Sequence, residues 1–260
     1  MMNINNEEIE LLQGDCLELM KDILDKSIDL IFADLPYGMT KAKWDTPLDL
    51  NKLWVQYKRI IKDNGCILLF AGTPFDKILG ASNIKMLKYE WIWEKTQATG
   101  YLNAKKMPLK AHENILVFYK KPPIYNPQKT TGHKPINNYT KKAKVQNKTE
   151  LYGKIKIDIS GGGETDRYPR SVLKFKTDKQ KNKLDGTIHP TQKPLELIKY
   201  MLRTYTNENS LVLDNVAGSG TVGLGCKELN RKFILIEKEE KYIDITCKRL
   251  NYDKNKVIVL

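Results

Sequence analysis

Long apolar runs are missing from this chain. No stretch approaches the roughly 18 to 20 residues that a membrane-spanning helix needs, so no membrane partner is expected. Cysteine is scarce. Cys16, Cys66, Cys226 and Cys247 are scattered, with no paired short spacing. That argues against a zinc cage or a CxxC redox centre, and the four read as reduced cytosolic thiols. No metal site is expected. The Met-Met-Asn-Ile-Asn-Asn-Glu-Glu start has neither a basic segment nor an apolar stretch. It does not read as a signal peptide, and a cytoplasmic location is expected.

Acidic residues are outnumbered. The 260 residues carry 44 Lys and Arg against 31 Asp and Glu, a formal net charge of +13. From Lys121 to Asp185 the count is 16 against 6, so most of the excess lies in a quarter of the chain. Nucleic acid is the natural partner for such a stretch, because phosphate contacts release counterions. A solvated lysine-rich insertion has the same composition.

Two stretches alternate strand and helix signals. In the first, residues 9–13, 28–33, 66–71, 89–94 and 115–119 read as strands, and 16–24, 50–61 and 74–81 as helices. Asn64-Gly65 is expected to separate the helix at 50–61 from the strand that follows. Residues 121–185 then change texture, rich in Lys, Asn, Thr, Gly and Pro, with strand-like pieces at 154–159 and 171–175. After Pro190 the rhythm returns: helix 194–204, strand 210–214, helix 220–229, strand 233–237, helix 239–250. Repeated alternation implies an α/β domain with a mostly parallel sheet covered on both faces.

The segment Leu211-Val212-Leu213-Asp214-Asn215-Val216-Ala217-Gly218-Ser219-Gly220-Thr221 runs from a strand through small residues into a helix. Such a turn lets a ligand approach the backbone at a helix N-terminus. Gly218 to Gly223 also fits GxGxxG, a weak signal alone. Glu237 closes the next strand, where a carboxylate can take both hydroxyls of a ribose. An adenosine-containing cofactor follows, either a dinucleotide or S-adenosylmethionine. Asp214, placed before the glycines, would repel a pyrophosphate but not a cationic amino-acid moiety. Asp15 can accept a hydrogen bond from an adenine amine, although a Gly-Asp turn is also an ordinary helix cap.

Asp34-Leu35-Pro36-Tyr37-Gly38 ends the buried strand at 28–33. An exocyclic base amine is planar, its lone pair drawn into the ring. It needs acceptors that favour a tetrahedral nitrogen. Asp34 supplies one, the Leu35 carbonyl, restrained by Pro36, a second. Tyr37 can stack on a base that has left its duplex.

Together these residues resemble a known family. Asp34-Leu35-Pro36-Tyr37 looks like the DPPY-type catalytic motif of DNA amino-methyltransferases, and Asp214 to Thr221 resembles their cofactor loop. His189-Pro190-Thr191-Gln192-Lys193-Pro194 looks like a third family motif. Their order resembles the β-class, over about three quarters of the chain. The resemblance implies a circularly permuted Rossmann-like methyltransferase fold with a mostly parallel seven-stranded sheet. Residues 1–120 would form its catalytic half, 121–187 a basic target-recognition insertion and 188–260 its cofactor-binding half.

The same resemblance implies methyl transfer from S-adenosyl-L-methionine to an exocyclic amine of duplex DNA. An Asp at the motif's first position leans to adenine N6, with cytosine N4 as the alternative. Gly218, Ser219 and Gly220 would lie against the methionine part, Glu237 on the ribose, Asp15 on the adenine, and Thr191 and Lys193 at the methionine end. Cys16, Asp34, Asp214, Asn215, Val216, Ala217 and Thr221 complete the cofactor set. A second copy of the chain and a cognate restriction endonuclease are further partners the resemblance brings in, in a bacterial or phage-encoded setting.

Two positions depart from the family pattern. Leu35 replaces the usual first proline, and Asn215-Val216 replaces Pro-Phe. They keep open a weakened, DNA-binding homologue. A nicotinamide oxidoreductase using the literal GxGxxG leaves the Asp34 motif unexplained. Cytosine-C5 chemistry needs a cysteine nucleophile, usually after proline; here the cysteines follow Asp15, Gly65, Gly225 and Thr246. His112, Arg167 and Arg170 are expected DNA contacts, the arginines on phosphates or guanine edges. Of Trp91 and Trp93, one is expected in the core and the other at a surface or cleft.

Overall fold

The computed structural model describes residues 10–38, 45–135, 143–149, 153–159, 163–178 and 192–259, residues 143–149 and 153–159 as backbone only. β1 (Glu10–Gln13) leads into α1 (Cys16–Leu19), and β2 (Ile28–Ala33) precedes α2 (Leu50–Ile60). β3 (Ile61–Ala71), α3 (Phe75–Ser82), β4 (Leu87–Thr99) and β5 (Lys110–Phe118) follow. β6 (Ala143–Thr149), β7 (Gly153–Ile159), β8 (Val172–Phe175) and α4 (Leu195–Tyr205) come next. The last elements are β9 (Leu211–Asp214), α5 (Thr221–Glu228), β10 (Lys232–Glu237), α6 (Glu240–Leu250) and β11 (Ile258–Val259).

Two compact units result: Met1–Asn126 with Ser171–Leu260, and Pro127–Arg170. The smaller is shorter than the basic stretch 121–187. Within it β6 and β7 pair antiparallel, and Thr130 bridges Arg167.

The larger unit is a nine-stranded sheet in the order β11-β1-β10-β9-β2-β3-β5-β4-β8. Seven strands, β1 to β4 in that order, are the expected sheet. The short β11 and β8 extend its two edges. Only β5 runs antiparallel to its neighbours. Strand alternation sorts side chains to two faces. Ile31 and Ala33 pack with Leu53, Tyr57 and Ile60 of α2 on one face. Leu30 and Phe32 pack with Leu197, Met201 and Tyr205 of α4 on the other. Asp29, the charge inside the apolar run of β2, is fully engaged. One oxygen pairs with Lys62 at 2.7 Å and the other accepts from the Leu211 amide at 2.9 Å.

Local expectations shift in four places. The helix after Cys16 stops at Leu19 and continues as a 3-10 turn, Met20–Asp22. There the Arg59 guanidinium takes the Met20 and Ile23 carbonyls at 2.6 and 2.7 Å. Asn64-Gly65 lies in a bulge inside β3, where the register jumps from Ile28↔Ile61 to Leu30↔Cys66. Residues 171–175, expected inside an irregular insertion, supply β8 and pair with β4 of the main sheet. Trp91 and Trp93 are both buried. Residues two apart in a strand share a face, so alternation does not split the pair, although Trp93 also lines a cavity.

Candidate active site

Four carboxylates converge at the carboxyl ends of adjacent strands. The registers Gln13↔Glu237, Leu235↔Asp214 and Ile31↔Leu213 set the tips of β1, β10, β9 and β2 side by side. Asp15, Glu237, Asp214 and Asp34 thereby line one cavity of about 760 Å³, within the usual range for ligand pockets. Between β9 and β2 the chain order of the sheet reverses, where open α/β sheets bind ligands.

The glycine loop forms one wall. Gly220 has φ +70°, and a Cβ there would fall 2.6 Å from Thr246 Cγ2, so glycine is required. Helix α6 braces the loop. The Thr246 hydroxyl donates to the Gly218 carbonyl at 3.1 Å, and Arg249 donates to the Ser219 and Thr221 hydroxyls at 2.9 and 3.0 Å. The Ser219 hydroxyl donates to Gln192 at 3.2 Å. Glu237 is aimed by two backbone amides, Gly218 at 2.7 Å and Glu239 at 2.8 Å. Burial raises both Glu237 and Asp214, the latter to about 8. A cationic ligand fits such a wall, because it favours the ionised carboxylates that burial opposes. A pyrophosphate does not fit it.

Asp34 stands just past β2. The Tyr37 hydroxyl donates to its Oδ1 at 2.8 Å, and the Lys193 ammonium donates to its Oδ2. The turn is pinned by Asp45, whose Oδ1 accepts from the Tyr37 and Gly38 amides at 2.8 and 2.9 Å. Tyr37 stacks on Phe75 with ring centroids 4.8 Å apart.

Behind Asp34 runs a line of alternating charge. Lys193 Nζ lies 3.4 Å from Glu113 Oε2, and Lys95 donates to Glu113 Oε1 at 2.5 Å. Burial raises the Asp34 carboxyl, and Lys193 only partly offsets it. Burial also works against the Lys193 ammonium, but Asp34 and Glu113 outweigh it and hold the group above its ordinary range. Glu113 is pushed up by burial and pulled further down by Lys193 and Lys95, so it ends below its ordinary range.

The chain matches the family model N6_N4_Mtase, described as a DNA methylase, over residues 28–248. It belongs to this family of DNA methylases. It is 31% identical to the Type II methyltransferase M.HinfI of Haemophilus influenzae, over 95% of this chain and 70% of that protein. It is 29% identical to the DNA adenine methyltransferase YhdJ of Escherichia coli (strain K12), over 95% of this chain and 84% of that protein. Among solved structures, the M1.HpyAVI–SAM complex superposes with a TM-score of 0.62 at 26% identity, covering 94% of this chain and 99% of that one.

The two departures of this DNA methylase from the family motifs are accommodated locally. Leu35 is 3% exposed and packs its side chain into the core. An apolar residue of suitable shape serves there, since the expected acceptor is a backbone carbonyl. Asn215 is buried, and its Oδ1 accepts from the Tyr57 hydroxyl at 2.6 Å. Val216 packs against the same core.

Most expected cofactor residues meet in the cavity. Cys16, Asp34, Lys193, Asp214, Asn215, Val216, Ala217, Gly218, Ser219, Thr221 and Glu237 all line it. Asp15 also does, while serving as the cap of α1 through the Leu17 amide at 2.9 Å. Burial pushes the Cys16 thiol up to about 11. Lys193, expected at the methionine end, has its ammonium on Asp34. Thr191 lies outside the described residues. His112 is exposed on β5 opposite Glu94. In the smaller unit Arg167 donates to the carbonyls of Glu164, Asp166 and Lys134, so its guanidinium ties that loop together. Arg170 is exposed. Among the described residues no helix is long and apolar enough to cross a membrane, and no group of three or more metal-ligating side chains occurs.

Several site residues escaped the sequence reading: Glu113, Lys95, Asp45, Thr246 and Arg249. For Glu113 the period of two does not decide: counting back from the buried Ile115 and Val117 gives Glu113, and from the equally buried Leu116 and Phe118 gives His112. Asp45 lies only seven and eight residues from the amides it binds, while Lys95, Thr246 and Arg249 reach the site by packing between distant segments, for which no local pattern speaks.

Proposed function

We propose that this DNA methylase transfers the methyl group of S-adenosyl-L-methionine to the N6 amine of adenine in duplex DNA. The observation that carries the reading is Asp34, a half-buried carboxylate at the cavity's edge, oriented by Tyr37 and Lys193. When bound, S-adenosyl-L-methionine supplies an electrophilic methyl group on a cationic sulfur. Glu237 would take the ribose hydroxyls, Asp15 the adenine amine, and the braced Gly218-Ser219-Gly220 loop the methionine part.

The chain's own groups act on the target amine. Asp34 accepts one amine hydrogen and the Leu35 carbonyl the other. Together they favour a tetrahedral nitrogen with an available lone pair. Tyr37, backed by Phe75, offers the stacking surface that offsets part of the cost of taking the base out of the duplex. As the nitrogen bonds to carbon, the proton it sheds leaves through Asp34 to solvent. No enzyme nucleophile is involved.

Adenine is favoured over cytosine by the Asp at the first motif position and by the similarity to an adenine methyltransferase. A cytoplasmic setting, a second copy of the chain and a companion endonuclease accord with this reading. The test is transfer of labelled methyl groups to mixed-sequence duplex DNA, with digestion to nucleosides. N6-methyladenine is expected. N4-methylcytosine would reassign the base, and no label with any DNA would sink the reading. Asp34→Ala should abolish transfer and keep cofactor binding.

A further inference from the structure

We infer that the loop joining β4 to β5 is a wedge that enters the target duplex and holds open the gap left by the extruded base. The inference rests on the reading of this chain as a DNA base methyltransferase and adds the element that does the extruding.

Between Thr99 and Lys110 the chain exposes an unusual amount of apolar surface. Tyr101 is 82% exposed, Leu102 100% and Met107 57%. Single exposed apolar residues are ordinary on a soluble protein. Three on one short loop, with none of them packed on the core, need a partner. The loop is also structured. Gly100, at φ +88°, starts a 3-10 turn over Tyr101–Asn103. Asn103 N–H bonds the Gly100 carbonyl at 2.9 Å, and Lys106 and Met107 N–H bond the Asn103 carbonyl at 2.8 and 3.0 Å. A tip ordered before binding loses little entropy on insertion.

Charge and position select the partner. Residues 96–112 contain Lys105, Lys106 and Lys110 and no Asp or Glu, so phosphates are attracted to the flanks of the apolar tip. Thr99 and Lys110, the two feet of the loop, both line the cavity that holds Asp34. Lys110 Nζ fills the space a side chain on Gly72 would need, and Tyr37 Cε2 is 3.9 Å from that same point. An aromatic and an aliphatic tip followed by Lys105 and Lys106, standing at the mouth of a base pocket, matches the way apolar side chains enter base steps.

The experiment compares wild type with Tyr101→Ser/Leu102→Ser on two duplexes carrying the recognition sequence mapped from expressing cells. In one the target base faces its normal partner, in the other an abasic site, which removes most of the cost of extrusion. Thermal melting controls for folding. The variant should lose at least about tenfold in kcat/KM on the paired duplex and regain near-wild-type rates on the abasic one. Full activity on the paired duplex, or equal loss on both, overturns the wedge. Wild type inactive on both overturns the methyltransferase reading itself. Lys105→Ala/Lys106→Ala should weaken both duplexes alike and flatten the salt dependence of binding; a selective effect on the paired duplex would assign the gap-holding to the lysines instead.

Discussion

Replacing Lys193 by methionine removes the one cation in contact with Asp34 among the described residues and keeps most of the side-chain volume. Asp34 must be ionised to take the proton that the amine sheds. Its carboxyl is already raised by burial, with Lys193 the largest opposing influence. An opposite charge within hydrogen-bonding distance typically lowers a carboxyl by about 1 to 3 pH units. Losing it should therefore move the acid limb of methyl transfer up by about 1 to 3 units. On that limb each unit is tenfold in rate, so at a fixed pH the loss is about 10- to 1000-fold. Glu113→Gln should act in the opposite sense. Glu113 raises Asp34 through its negative charge, so neutralising it should move the limb down. The assay is kcat/KM for labelled methyl transfer across about pH 5 to 9, with cofactor affinity measured in parallel. An unmoved acid limb in Lys193→Met, or movement of both variants in one direction, would refute the electrostatic account of this line of charges.

Cofactor binding should be linked to protons. Asp214 is raised to about 8 by burial, and a cationic ligand favours its ionised form, so binding should release protons and tighten as pH rises toward about 8. Calorimetry in buffers of different ionisation enthalpy should detect the release, and Asp214→Asn should remove that share of it; a pH-independent wild type would contradict the argument. Tyr57→Phe removes the hydroxyl that donates to the buried Asn215 oxygen at 2.6 Å and should cost about 1 to 3 kcal/mol; an unchanged melting temperature would show the bond to be dispensable. Arg167→Ala should speed hydrogen exchange at the Thr130 and His133 amides, which bond Arg167 and Thr165 carbonyls at 3.0 and 2.9 Å. Weaker DNA binding with unchanged exchange would restore the direct DNA role expected from sequence.

The two halves of the site differed in how far they could be read in the chain. Asp34 to Gly38 and Asp214 to Thr221 are local strings whose backbone restraints, strand ends and glycine turns are set within a few residues. Both stood where expected. The ion pair between Lys193 and Asp34 joins residues 159 apart, and no local pattern reports a contact of that separation. The same holds for Arg249 on the Ser219 loop. β8 was recognisable as a strand by its β-branched and aromatic residues, but not as a partner of β4, since pairing register is a tertiary choice. At Trp91 and Trp93 the period of two puts both side chains on one face, and Trp93 reaches the cavity from there.

The sign of the charge changes between the site and the rest of the molecule. Overall the chain carries +13, which suits a polyanionic duplex. Its cavity collects Asp15, Asp34, Asp214 and Glu237, which suits a small cation and repels phosphate. If the cavity shared the general positive charge, DNA phosphates would compete for it at every encounter. A local negative lining set at strand ends lets one molecule attract both reactants and keep them apart. A base, unlike a phosphate, is neutral and can approach Asp34 without this penalty. Lys193 marks the boundary. It is the buried cation between the acidic cofactor wall and Glu113, and it opposes the rise that burial and the Glu113 charge impose on Asp34. The charge pattern therefore separates base from backbone before any hydrogen bond to the base is made.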